Sequence, residues 1–218
     1  MSNFIKIDNL DKTFSQGDRR IKIFNNFNLE VEMGEFVSIT GPSGSGKTTL
    51  LQIIAMIDNF DNGSYNLLGQ DISNYSNVER CNMRLQNFGF IYQSFNLLED
   101  FNALENVAMP LIIRGVEKSE SYKLASNMLR LFNLDHREEH YSNELSGGEQ
   151  QRVAIARAVI TKPKIIIADE PTGNLDKENS IQVLDFLFKS IEKDKITLIM
   201  ATHNEEIASR AVKRVDLE

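Results

Sequence analysis

Cysteine is nearly absent: Cys81 is the only one among 218 residues. An intramolecular disulfide and a multi-cysteine metal site are thereby excluded, and a reducing compartment is the default expectation. Long apolar runs are missing as well. A spanning helix needs about 18 or more apolar residues in a row, and the longest runs here, Leu50–Ile57 and Ile196–Ala201, read as buried core. The opening MSNFIKIDNL has neither the basic start nor the apolar centre of an export signal. Positive charge is in deficit too. With 24 Lys and Arg against 31 Asp and Glu, the formal net charge is −7, a poor start for a protein whose main partner is nucleic acid. The remainder, 41% hydrophobic and 25% charged, is ordinary globular usage, and the length suits one domain or one with an inserted lobe.

Short apolar runs alternate with helical patterns, the signature of an α/β fold. Phe36–Thr40, Phe88–Tyr92, Ile165–Ala168 and Ile196–Ala201 read as buried parallel strands. Phe4–Val31 alternates more loosely and predicts antiparallel strands flanking the core. Helical periodicity runs over 47–57, 122–132, 150–160, 177–191 and 204–212. Between Gln93 and Ile160 no strand is expected, so a helical lobe is predicted to interrupt one sheet.

Gly41–Thr48 spells GPSGSGKT, a full match to the phosphate loop G-x-x-x-x-G-K-[ST] in a strand–loop–helix context. Glycines let successive backbone N–H groups turn inward toward phosphate oxygens, and the following helix aims its positive end at the same place. Gly41, Pro42, Ser43, Gly44, Ser45, Gly46, Lys47, Thr48 and Thr49 are therefore the candidate ATP-binding residues. Lys47 is expected to reach the β- and γ-phosphates, and Thr48 to ligate Mg²⁺. The loop alone does not separate kinase, GTPase, helicase and transport motor.

A buried strand ends in Asp169-Glu170, and ligands in such sheets bind at the carboxyl ends of strands. Asp169 is the expected Mg²⁺ partner and Glu170 is placed to polarise an attacking water. Further on, Leu145–Gln150 reads LSGGEQ and runs into QRVAIARAV. Ser146, Gly147, Gly148 and Glu149 open a helix there, where N–H groups and the helix dipole suit an anion.

Taken together these motifs, in this order, resemble the ATP-binding-cassette (ABC) ATPases from about Phe4 to Val212. The resemblance implies a P-loop NTPase with a RecA-like core (about 1–92 and 161–218), an antiparallel β subdomain and an inserted α-helical signature lobe (about 93–160). It implies that two chains sandwich two ATP molecules, each signature facing the other's phosphate loop. It also implies that Gln93 touches Mg²⁺ or the lytic water and links core to lobe. Asp176, in GNLD, would lie at the dimer seam, His203 would bond the γ-phosphate, and Phe14 would stack on adenine. Asn204 stands where the family more often has Asp, which should leave the γ-phosphate contact intact while altering the local loop. The sequence stops shortly after Val215-Asp216-Leu217, where the family usually continues, so a final edge strand is expected to be missing or shortened.

Coiled-coil insertions, zinc sites and basic linkers, common in ABC ATPases that act on nucleic acid, are not seen. Within the family, GFIYQ, NALENVAMPLII, LDHR and ADEPTGNLD resemble the cassettes of lipoprotein-releasing systems, with MacB-type efflux motors and FtsE-type regulators of cell-wall hydrolases as relatives. The resemblance implies a peripheral subunit at the cytoplasmic face of the inner membrane. Integral membrane permease subunits would dock on the helical lobe, and the cassette would never touch cargo. Leu97, Leu98, Phe101 and Val107 fit a docking groove and fit lobe core equally well.

Overall fold

The computed structural model describes residues 4–17 and 19–217, and the chain divides into two compact units, Met1–Arg84 with Ile199–Glu218, and Leu85–Leu198. In the first, β1 (Ile5–Gln16) and β2 (Arg19–Val31) form an antiparallel ribbon, and β1 pairs on its other edge with β4 (Asn62–Leu67), followed by β5 (Gln70–Asp71). The register places Ile5 opposite Val31 and Ile7 opposite Leu29, all four buried, with Lys6 and Glu30 between them on the wet face. Period-two alternation makes this the only register that hides the apolar set. The register shifts around Leu10 coincide with left-handed asparagines at Asn9 and Asn26, a residue type that tolerates that conformation.

The same unit contains β3 (Phe36–Thr40), buried along its whole length, which runs parallel to β9 (Lys213–Asp216). Between β3 and β4 lies α1 (Lys47–Ile54). It stops three residues short of the expected end because Met56 takes a left-handed φ of 57°. The last expected helix, 204–212, shrinks to α7 (Glu205–Ala208). Beyond Ala208 the chain has no apolar stripe to bury, and Val212 is 77% exposed.

The chain enters the second unit through α2 (Asn77–Asn87), a helix the apolar pattern did not reveal. Asn87 is its only buried residue, so period-3.6 hydrophobicity carries no signal there. Ser76 and Glu79 bond reciprocally at its start, the ordinary polar signature of a helix N-terminus. The strands β6 (Phe88–Tyr92) and β7 (Ile165–Asp169) pair in parallel, Phe88 opposite Ile165 and Tyr92 opposite Asp169. Among the described residues the interval between them is helical, as expected of the lobe: α4 (Lys118–Leu131) and α5 (Gly147–Val159) answer to expected helices, whereas α3 (Ala103–Ile113) was not among them. The helix expected over 122–132 begins earlier because Glu117 caps the N–H groups of Ser119 and Glu120. Buried Asn106 on α3 accepts from Leu98 N and donates to Leu98 O, Phe101 O and Asn102 O, satisfying an irregular loop from within. Val107 is buried core whereas Leu98 is 41% exposed, so the four apolar lobe residues do not act as one set. A long helix, α6 (Lys177–Asp194), and the buried strand β8 (Thr197–Ala201) complete the unit and return the chain to the first.

Candidate functional site

Both units carry candidate residues, most of them on loops that leave a parallel strand or at the N-terminus of a helix, with Phe14 on β1. In the first unit the phosphate loop connects β3 to α1. Gly46 is the α1 N-cap at φ 97°, and a Cβ there would sit 2.6 Å from Ile23 Cγ2. Only glycine satisfies both the left-handed backbone and the close approach of β2. No side chain caps α1 and no acid lies in its first turn, so its N-terminal field favours an anion unopposed. Lys47 folds back over its own loop, donating to Gly41 O at 2.8 Å and Pro42 O at 2.9 Å. Buried Ser45 Oγ finds no partner among the described residues, an orphaned polar atom that a phosphate oxygen would satisfy.

Thr48 and Thr49 lie in the first turn of α1. Phe14, on β1, is 41% exposed, with the Lys12 ammonium 4.7 Å from its ring centroid. That lysine is itself nearly buried, bonded to Asp58 at 2.8 Å and to Asn59 O at 2.6 Å, so the ring is held from beneath by a fixed cation. His203 follows β8 on an exposed turn. Buried Thr202 anchors that turn, donating its N–H to Ile39 O and accepting from Asn204 N. Asn204 caps α7 through Glu206 N and Ile207 N, a role that Asp also fills, so this departure from the family pattern leaves an ordinary capped turn.

In the second unit Asp169 ends β7, and Glu170 follows at φ 44°. A left-handed glutamate is strained by about 1–2 kcal/mol. Its carbonyl accepts from Gly173 N, and buried Gln151 donates to the next carbonyl, Pro171 O, at 2.5 Å. Gln93, just past β6, donates Nε2–H to Asn174 Oδ1 at 3.1 Å and receives Asn174 Nδ2–H on its backbone oxygen at 3.0 Å. Asp176 caps α6, accepting from Asn179 N and Asn179 Nδ2. Those hydrogen bonds hold its carboxyl below the usual range.

Ser146 caps α5 in a full capping box with Glu149. Burial opposes ionisation of Glu149, but the Ser146 N–H, the Ser146 hydroxyl and the Arg137 guanidinium overcome it, and its carboxyl is lowered to about 2. Gly147 keeps ordinary van der Waals room, with Leu175 and Phe95 as neighbours, whereas Gly148 lies so close to Asn179 that a Cβ would collide with its amide. Arg137, Gln151, Arg157, Asn174 and Asn179 were not singled out from sequence. All lie inside or beside the quoted motifs, but only the tertiary contacts reveal what they hold. Among the described residues, no cluster of three or more His, Cys, Asp or Glu could hold a metal.

The family model for ABC transporters matches residues 24–173. The chain is 42% identical over 214 residues to the lipoprotein-releasing system ATP-binding protein LolD of Nitrobacter winogradskyi, covering 98% of this chain and 92% of that one. It is also 42% identical over 219 residues to LolD of Geobacter metallireducens, covering 99% and 97%. Macrolide export ATP-binding/permease protein MacB of Bdellovibrio bacteriovorus is 43% identical over 213 residues, 98% of this chain but 32% of that protein. Among solved structures, the dimeric post-hydrolysis state of the ATP-binding cassette MJ0796 bound to ADP and Pi superimposes with a TM-score of 0.90 at 38% identity, covering 98% of this chain and 94% of that one. The expected α/β cassette architecture is thus the observed one, and this chain belongs to the ABC transporter family as one of its ATP-binding, ATP-hydrolysing cassettes.

Proposed function

We propose that this cassette is the ATP-hydrolysing motor subunit of a lipoprotein-releasing system, working as a pair of copies docked on integral membrane permease subunits. The observation that carries the reading is end-to-end similarity to LolD proteins. A MacB-type efflux motor is the second reading, favoured by the 43% identical MacB domain.

On this reading the loop from Gly41 to Thr49 cradles the ATP phosphates, with Lys47 turning from its own carbonyls to the β- and γ-phosphates, and Phe14 stacks on adenine. Lys47 then exchanges two carbonyl partners for charged oxygens, a stronger interaction. Thr48, Gln93 and Asp169 would hold Mg²⁺, whose charge neutralises the phosphate oxygens. Hydroxyl, amide and carboxylate oxygens are the hard donors that ion takes, and Gln93 already commits its N–H end to Asn174, which leaves the amide oxygen as the ligating atom. Glu170 polarises the attacking water and His203 bonds the γ-phosphate. In the second copy, Ser146, Gly147, Gly148 and Glu149 meet the same ATP, with Asp176 at the seam. No described helix is long and apolar enough to cross a membrane. On this reading the cassette attaches to the cytoplasmic face of the inner membrane through permease subunits on the helical lobe, without contact to cargo or nucleic acid.

The test is reconstitution with the membrane subunits that co-purify with the cassette, in vesicles loaded with an acylated protein and, separately, with a macrolide. ATP-dependent release of the acylated protein is expected. ATP-dependent macrolide movement without protein release would replace this reading by the efflux one.

A further inference from the structure

Arg157 has no place in the site described so far, yet it grips the segment that carries Gln93. From α5 its Nη2 donates to Phe95 O at 2.9 Å and its Nη1 to Asn96 O at 2.7 Å. Those two residues are consecutive and both left-handed, with φ of 60° and 48°. Consecutive residues of one helical hand point their carbonyls the same way, so both oxygens arrive together at one guanidinium fork. Asparagine visits this conformation readily, but a phenylalanine is a genuine outlier there. Two parallel carbonyl dipoles beside each other also repel. A cation between them cancels that repulsion, and its two bonds hold the strained turn in place. The turn is pinned at its other end by Phe95 N–H on Tyr92 O, while Asn174 holds the Gln93 backbone and amide.

We propose that Arg157 is a positioning residue for ATP hydrolysis: by locking the Phe95–Asn96 turn against the signature helix it fixes the path of the loop, and through it the orientation of Gln93. The proposal rests on the reading in which Gln93 serves Mg²⁺ and the lytic water. It makes α5 a single lever, with the signature serine at one end and the Gln93 loop clamped along its flank.

The test uses the full chain in steady-state ATPase assays. Arg157→Lys keeps the charge but gives up the rigid planar fork and the longer reach of the guanidinium, so kcat falls about tenfold, the KM for ATP stays within about twofold, and the fold is retained. Arg157→Gln takes its place should the lysine variant be too unstable to assay. Adding Gln93→Ala to Arg157→Lys gives little further loss, because residues acting through one group are non-additive. Asn96→Gly in the Arg157→Lys background restores part of kcat, since glycine accepts positive φ without a clamp. A general loss of stability would show neither the non-additivity nor the rescue. A folded Arg157→Lys with unchanged kcat, or fully additive losses beside a slow Gln93→Ala, overturns the proposal alone. If Gln93→Ala itself hydrolyses ATP as the unaltered chain does, the reading beneath the proposal falls, and the proposal with it.

Discussion

Gln93 and Asn174, 81 positions apart, hold each other through two hydrogen bonds, one between side chains and one from the Asn174 amide to the Gln93 backbone. Gly173 makes this possible: a Cβ there would stand 2.8 Å from Gln93 Nε2. The loop after β6 and the loop before α6 are thereby tied together, so movement of either carries the other.

Asn174→Ala should therefore act mainly on turnover. Each hydrogen bond contributes about 0.5–1.5 kcal/mol at most, and these two are exposed, so the melting temperature should change by only a few degrees. Released from its partner, Gln93 samples several orientations, and kcat should fall several-fold with the KM for ATP little altered. Steady-state kinetics alongside thermal melts check this. A fall in affinity equal to the fall in kcat would count against the coupling.

Gly46→Ala should remove nucleotide binding at a cost in stability. The φ of 97° disfavours any Cβ by about 1–3 kcal/mol, and Ile23 must move as well. Lys47→Ala makes the contrast. Among the described residues its ammonium bonds two carbonyls of its own loop, so stability should stay within about 0.5 kcal/mol while ATP affinity drops by well over tenfold. Titration with a fluorescent ATP analogue and thermal melts separate the two. A Lys47→Ala chain that binds normally would remove the phosphate loop from the site.

The Glu149 carboxyl, lowered to about 2, makes a statement about pH. A carboxylate depressed in the folded state contributes stability above its unfolded pKa of about 4.3, and loses it as pH falls through that value toward about 2. Glu149→Gln should lower the melting temperature at pH 7. The gap to the unaltered chain should narrow between about pH 4.3 and pH 2. Parallel melting curves down to the acid limit would show that the Arg137–Glu149–Ser146 cluster contributes nothing through charge.

The phosphate loop, the Asp169-Glu170 pair and the signature were legible because their chemistry depends on residue type at fixed spacing, and the buried strands because β-branched runs have few other uses. Helix α2 was not, since it buries almost nothing. Nor were β4 and β5, whose residues from Asn62 to Asp71 are mostly polar and exposed. Arg157, Gln151 and Asn174 belonged to stretches recognised as motifs, but what each one holds is a backbone carbonyl 20 to 81 positions away. Sequence spacing carries no trace of a partner that is backbone, because every residue offers the same carbonyl. The supporting layer of the site therefore emerged only from the fold.

Gly148→Ala tests that layer where local and tertiary preferences oppose each other. Within a helix, alanine is favoured over glycine by about 1 kcal/mol, and Gly148 has no positive φ among the glycines that show one. Local propensity alone thus predicts a neutral or stabilising change. The added Cβ, however, would collide with the Asn179 amide, and that amide cannot swing away freely because Asp176 accepts from both its side chain and its backbone. Overpacking of this kind costs about 1–3 kcal/mol, so the tertiary clash should win and the melting temperature should fall. Asn179→Ala opens the space, and the double variant should melt above Gly148→Ala alone even though one hydrogen bond to Asp176 is gone. If Gly148→Ala melts at or above the unaltered chain, α5 and α6 are not in the close register described, and the glycine answers to nucleotide or to the second copy instead.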